Sequence, residues 1–268
     1  MLDIPTWEVT LFVYGPIATK RLIQLNEPKG FELGNAPFYS DIKIERSSSG
    51  IKAEVSAYAS TEELAYKAAL LFFGQMLDVL ALKINLPLYL SLYDRKISLK
   101  EEAYKTRRIV TREEWRTAFR EARLLALSET TYLRALGWYR KGLHTEDPFD
   151  KFLAFWNSIE IVTNKYHPPI PSDKATGSKS KIWESFKKLW GDCKNWPVIP
   201  GQTKWIDDNN EIRNKIAHGT QPIDIETIDE VIKMLDDIQK VAHEFIVGWR
   251  ENELEPQIPR GLEKMFGY

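Results

Sequence analysis

Residues 51–83 read IKAEVSAYASTEELAYKAALLFFGQMLDVLALK, and within this stretch the period of the apolar residues changes. Ile51, Ala53, Val55 and Ala57 alternate with Lys52, Glu54, Ser56 and Tyr58. Period two puts one face of an extended strand against a core. After Ser60 the spacing lengthens, with Leu64, Ala68, Phe72, Met76, Val79 and Lys83 following a helix. Ser60 and Glu63 have the spacing of a capping box at its start. Working back towards the N-terminus, Ser47–Gly50 form a turn, so residues 41–58 read as a hairpin. Trp7, Val9, Leu11 and Val13 alternate with Glu8, Thr10 and Phe12, and Leu86, Leu88, Leu90 and Leu92 repeat the pattern. Arg21–Leu25 and Tyr39–Arg46 are weaker strand candidates. The expectation for residues 1–98 is a small α/β domain, an antiparallel sheet with one covering helix.

Beyond residue 98 the pattern is helical throughout. Helices are predicted at 112–127, 130–143, 148–166, 179–190, 203–218 and 225–251. The third begins with Asp147 as N-cap and Pro148 at its first position, where the missing N–H costs nothing. The last carries Ile228, Val231, Leu235, Ile238, Ala242, Phe245 and Trp249 at steps of three and four. Irregular stretches at 167–178 and 195–202 interrupt the series. The fold class is therefore α+β, with a helical domain over residues 99–268 following the sheet domain.

Composition narrows the functional classes. The 268 residues carry 37 Lys and Arg against 38 Asp and Glu, so net charge points to no partner. Locally the chain is polarised. Residues 95–141 hold 13 basic against 6 acidic residues, and residues 221–256 hold 3 against 10. No apolar run approaches bilayer length and MLDIPTWE lacks a signal-peptide pattern, so a cytoplasmic protein without membrane contact is expected. The single Cys193 excludes an internal disulfide and a cysteine-built zinc site. His144, His167 and His243 have no metal-type spacing, and neither metal nor cofactor is expected. Trp183, Trp190, Trp196 and Trp205 flank the irregular stretches and read as core rather than base-stacking platforms.

Three groups of residues could carry chemistry. The sharpest is Arg213-Asn214-Lys215-Ile216-Ala217-His218-Gly219. Asn214 and His218 are four apart and share a helix face. Arg213 lies roughly 140° from His218 on an ideal helix, within reach of a long side chain. Gly219 is suited to end the helix, placing His218 where the negative end of the dipole attracts a cation. Arg can stabilise charge on a phosphoryl oxygen, and His can move a proton near neutral pH. The alternative is that both residues merely cap carbonyls. The second group is Glu160, which falls about 20° from Phe149 on the helical wheel, inside the face of Phe152, Leu153, Trp156 and Ile159. A carboxylate there needs a partner. Glu160 then either fixes helix register through a buried salt bridge or hydrogen bond, or holds Arg213, or points into an active cleft. The third is a ridge of Arg112, Arg116, Arg120 and Arg123, spaced four, four and three, with Glu114 and Glu121 opposite. It could hold an RNA backbone, stay solvated, or meet the acidic last helix. Asp207 and Asp208 read as solvated residues, with a place near a cleft open.

The segment RNKIAHG resembles the R-x4–6-H motif of the HEPN superfamily, including the polar residue after the Arg. The segments YLRALGWYRKGL (132–143), Glu146-Asp147-Pro148 and KFLAFWNSIEIV (151–162) resemble the preceding helices of its ApeA-like branch. Some helical proteins associated with methylamine utilisation have a comparable layout. The resemblance covers roughly residues 112–250. It implies a metal-independent endoribonuclease that leaves 2′,3′-cyclic phosphate and 5′-OH ends, acting in phage defence or as a toxin. It further implies Arg213 and His218 as catalytic residues, Asn214 on the phosphate, and a homodimer through the helical domain. RNA, tRNA included, is then the partner, and the N-terminal domain would sense a trigger or bind a regulator. The alternative within the same resemblance is a non-catalytic module binding RNA, nucleotide or protein. Members paired with a nucleotidyltransferase antitoxin carry Tyr two residues after the motif His. Thr220 stands there, so adenylylation at that position is not expected.

Overall fold

The computed structural model describes residues 5–26, 38–91, 106–172, 176–218 and 225–254. The sequence readings that involve Leu92, Gly219 and Thr220, and most of the stretch joining the sheet to the first predicted helix of the bundle, fall outside them.

Strands β1 (Thr6–Tyr14), β3 (Ile23–Asn26), β4 (Phe38–Ser47), β5 (Gly50–Tyr58) and β6 (Tyr89–Leu90) make a sheet in the order β3-β4-β5-β1-β6. All neighbours are antiparallel. The predicted hairpin is β4–β5, with a register shift between Tyr39 and Ile42. In β5 the alternation holds residue by residue: Ile51, Ala53, Val55 and Ala57 are buried, while Lys52, Glu54, Ser56 and Tyr58 are half-exposed. Two short segments escape the sequence reading. Strand β2 (Ile17–Ala18) pairs in parallel with β7 (Arg108–Ile109) as a separate two-stranded sheet. A two-residue strand has no periodicity to detect.

Helix α1 (Glu62–Ile84) is capped by Thr61, whose hydroxyl accepts from the Leu64 N–H, so the cap stands one residue after Ser60. Ala65, Ala69, Phe73, Met76, Leu77, Leu80 and Ala81 are its fully buried positions; of the predicted face Ala68, Met76 and Val79 are buried, whereas Leu64 and Lys83 are exposed. Its buried face is rotated from the one the spacing suggested. The rotation has a cause in the packing. The helix contacts β5, β1 and β4 of the sheet and also α2 (Arg112–Ser128), which buries Trp115, Phe119 and Leu125. By contacts, the chain divides into two compact units after Ser128, so α2 goes with the sheet.

The second unit is all helical among the described residues: α3 (Thr130–His144), α4 (Pro148–Tyr166), α5 (Ser178–Trp190), α6 (Trp205–His218) and α7 (Ile225–Asn252), with a single 3-10 turn at Cys193–Asn195. Helix α4 is its centre. Phe152, Phe155, Trp156, Ile159 and Val162 are wholly buried, and the helix touches α3, α5, α6 and α7. Its start is fixed as expected, with the Asp147 side chain accepting from the Asp150 N–H at 2.9 Å and Pro148 following the cap. Gly142 lets α3 approach it, since a Cβ there would lie 2.7 Å from the Phe155 ring. The Tyr132 hydroxyl donates to the Ile246 carbonyl at 3.0 Å, joining α3 to α7. Around Phe186 pack Trp190, Trp196, Trp205 and Phe245 at ring separations of 4.7–6.2 Å. The tryptophans are thus core, with Trp183 and Trp190 half-buried at its edge. Gly191 ends α5 with φ of 75°, a left-handed value that glycine accepts without a Cβ clash.

Candidate active site

Helices α4 and α6 bring the predicted residues together. The amphipathic register of α6 is set by Trp205, Ile206 and Ile212, all buried against the rest of the unit. Buried Asn209 donates to the Trp205 carbonyl at 2.8 Å within the same helix. That register leaves Arg213 and Asn214 half-buried and His218 exposed at the helix end.

The geometry centres on the guanidinium. Arg213 Nη2 lies 3.5 Å from Glu160 Oε2, with the two side chains 25% and 13% exposed. Arg213 Nη1 donates to Asn214 Oδ1 at 3.1 Å and stands 3.2 Å from His218 Nε2. Arginine has only donors, so His218 Nε2 is the acceptor here, and the pairing assigns the ring proton to Nδ1. The 140° between Arg213 and His218 on the helix is thus spanned by the length of the arginine side chain. Glu160 finds its partner in Arg213. This supplies the compensation that a carboxylate on a largely apolar helix face requires.

The chemical capacity of this set is specific. A neutral imidazole nitrogen open to solvent can accept a proton. Once Nε2 carries a proton, both it and the guanidinium are donors, and their contact must open. Arg213 then has an N–H available for an anion at the same place. Glu160 holds the other side of the guanidinium and limits its swing. Proton acceptance and charge stabilisation are therefore coupled through a single side chain.

The ridge on α2 has a different setting. Arg112 is exposed and donates to the Gln24 carbonyl at 3.2 Å, while Arg116 pairs with Glu113 at 3.2 Å. Arg120 and Arg123 are half-buried, and among the described residues the Arg120 Nε has no hydrogen-bond partner. Glu114, on the side opposite the ridge, takes Arg108 at 2.6 Å, and Glu121 takes Lys83 at 2.8 Å. The ridge belongs to the unit that ends at Ser128, and the Arg213 set to the unit that follows.

Three polar residues that drew no attention in the sequence tie α5 to the helices that carry the Arg213 set. They are Asn164 on α4, and Lys179 and Lys181 on α5. Their signal was the spacing of four from Glu160 to Asn164, which is visible only once Glu160 matters. Among the described residues no group of three or more His, Cys, Asp or Glu is arranged to hold a metal ion, and no helix is long and apolar enough to cross a membrane.

The Arg-Asn-x-x-x-His segment closes α6, which α7 follows. Residues 135–247 match the family described as Methylamine utilization protein MauJ, a HEPN-like family. The match covers less than half of the chain and includes Glu160, Arg213, Asn214 and His218. Comparison with curated proteins and with solved structures gives no match.

Proposed function

We propose that the protein is an endoribonuclease of HEPN type that cleaves RNA without a metal ion, leaving 2′,3′-cyclic phosphate and 5′-OH ends. The observation that carries this reading is the placement of Arg213 between Glu160 and His218. In the proposed reaction the 2′-OH attacks the adjacent phosphorus. His218 Nε2 takes the hydroxyl proton as that O–P bond forms, and the leaving 5′-oxygen takes a proton from water as its bond to phosphorus breaks. Protonation of Nε2 releases the Arg213 N–H that had pointed at it, and the guanidinium, still held by Glu160, stabilises the charge of the phosphorane in place. Asn214 orients Arg213 in the free protein and offers its amide N–H to a non-bridging oxygen. Base and charge stabiliser are both protein side chains, so the reaction needs no Lewis acid.

The same reading makes the protein a homodimer through its helical unit, with two 213–218 segments facing one scissile phosphate across a two-fold axis. Light scattering at micromolar concentration is expected to give twice the chain mass, and a strict monomer would remove this part of the account. A toxin or phage-defence role suits a nuclease of this kind, with the sheet-bearing unit restraining or triggering it and the α2 arginines contacting the RNA backbone. The direct test is incubation of total RNA and tRNA with purified protein in EDTA, beside the His218→Ala variant. Cleavage by the wild type alone supports the proposal. RNA binding without cleavage would favour a non-catalytic module.

A further inference from the structure

The first turn of α5 reaches both helices that form the Arg213 set. Lys179 Nζ lies 2.7 Å from Asp207 Oδ1 on α6, and Lys181 Nζ donates to Asn164 Oδ1 on α4 at 3.1 Å. Asp207 precedes Asn214 by seven residues and His218 by eleven, which at 100° per residue places all three within a stripe about 40° wide. Asn164 lies one turn beyond Glu160 on the same face of α4. The lysines therefore lie along the same side of the two helices, their anchors displaced about 6 Å from Glu160 along α4 and about 10 Å from Asn214 and about 16 Å from His218 along α6.

Neither lysine is held firmly. The Lys179 and Asp207 side chains are 54% and 60% exposed, and a pair so open to water exchanges readily for another anion. Asn164 is neutral, so Lys181 keeps its whole charge. A lysine on a flexible stem acts as a point charge for phosphate and reads no base.

We propose that Lys179 and Lys181 form a second phosphate subsite, which holds the single-stranded RNA backbone flanking the scissile linkage. Asp207 and Asn164 are the partners that the two ammonium groups exchange for phosphate when RNA binds. The identity of the ligand rests on the ribonuclease reading above; the arrangement of the subsite does not.

The test is anisotropy of a fluorescent single-stranded RNA with methylated 2′-hydroxyls, which cannot be cut by the proposed reaction, titrated at several salt concentrations. Lys179→Ala combined with Lys181→Ala is expected to bind about 10-fold more weakly at low salt. Its slope of log affinity against log salt should be shallower by about 1.4, at about 0.7 for each lost phosphate contact. Asp207→Asn releases Lys179 and should tighten binding, the opposite of what loss of a merely structural ion pair would do. A double lysine variant with wild-type affinity and slope, or an Asp207→Asn protein that binds no tighter, overturns the subsite and leaves the nuclease reading standing. Wild-type protein that shows the lysine-dependent slope yet leaves unmodified RNA intact keeps the subsite and defeats the nuclease reading. Wild-type protein that binds no RNA overturns both.

Discussion

The arginines of α2 and of α6 sit in different settings, and the contrast separates charge from function. On α2, Arg116 pairs with a Glu113 that is 71% exposed and one turn away on its own helix. Such a pair is worth about 0.2–1 kcal/mol and leaves the side chain free to wander. On α6, Arg213 meets a Glu160 from another helix that is only 13% exposed, and it touches Asn214 and His218 as well. A guanidinium fixed on several sides cannot follow solvent. It is already oriented when charge develops near it, which is the condition under which a donor accelerates a reaction. A basic ridge can collect an RNA, but a held arginine can act on one bond.

The largest expected effect therefore belongs to the held cluster. His218→Ala should slow single-turnover RNA cleavage by about 10²–10⁴-fold. Because His218 is exposed, its melting temperature should stay near that of the wild type. Arg213→Ala should also act chiefly on the rate, and Arg213→Lys should not restore it, since an ammonium has no planar pair of donors. A wild-type rate in Arg213→Lys would reduce Arg213 to a simple positive charge and erase the contrast with α2.

Glu160→Ala is the next largest, this time on stability. It leaves Arg213 half-buried without its carboxylate and should cost about 1–3 kcal/mol in chemical denaturation. Glu160→Gln keeps the shape and should recover much of that stability while leaving the guanidinium less constrained. A Glu160→Ala protein that unfolds like the wild type would show that the pair holds nothing in place.

On α2 the expected effects are smaller and fall on binding. Arg116→Ala with Arg120→Ala should weaken RNA binding several-fold and flatten its salt dependence, with little change in folding. If the ridge variant instead matches the wild type at every salt concentration, α2 is a solvated face.

The smallest effect lies outside both regions. Burial, with the nearby Arg140 charge adding to it, pushes the His144 imidazole down to about 4. The unfolded chain then binds a proton near pH 6.5 that the folded chain refuses, so this residue favours the folded state fully only above that value. Because the side chain is half-exposed and partly screened, stability should fall by only about 1 kcal/mol, well short of the full linkage value, as pH drops from 6.5 towards 4, and His144→Gln should flatten that part of the profile.

Much of this arrangement was legible in the sequence, and the exceptions have a common cause. Helix α4 begins and ends where the reading placed it, because Asp147 and Pro148 are local signals and its apolar face repeats for five turns. The strands of the hairpin were equally clear. The wheel said that Glu160 needed a partner, yet only tertiary packing could say that the partner was Arg213. For the same reason α1 turned its buried face towards two neighbours rather than one, and α2 joined the sheet. The α6 helix starts at Trp205 rather than Thr203, since the loop before it is shaped by Gly201 at φ of 74°. Lys179 and Lys181 were silent because two lysines in a serine-rich turn look like any solvated surface until the helices beside them are known.

The most direct test of the central claim is the chemistry of the RNA ends made by the wild type in EDTA, compared with His218→Ala. Side-chain proton transfer to a neighbouring 2′-OH predicts a 2′,3′-cyclic phosphate and a 5′-OH from the wild type, with almost none from the variant. Products bearing 3′-OH and 5′-phosphate, or cleavage that appears only when magnesium or manganese is added, would contradict it.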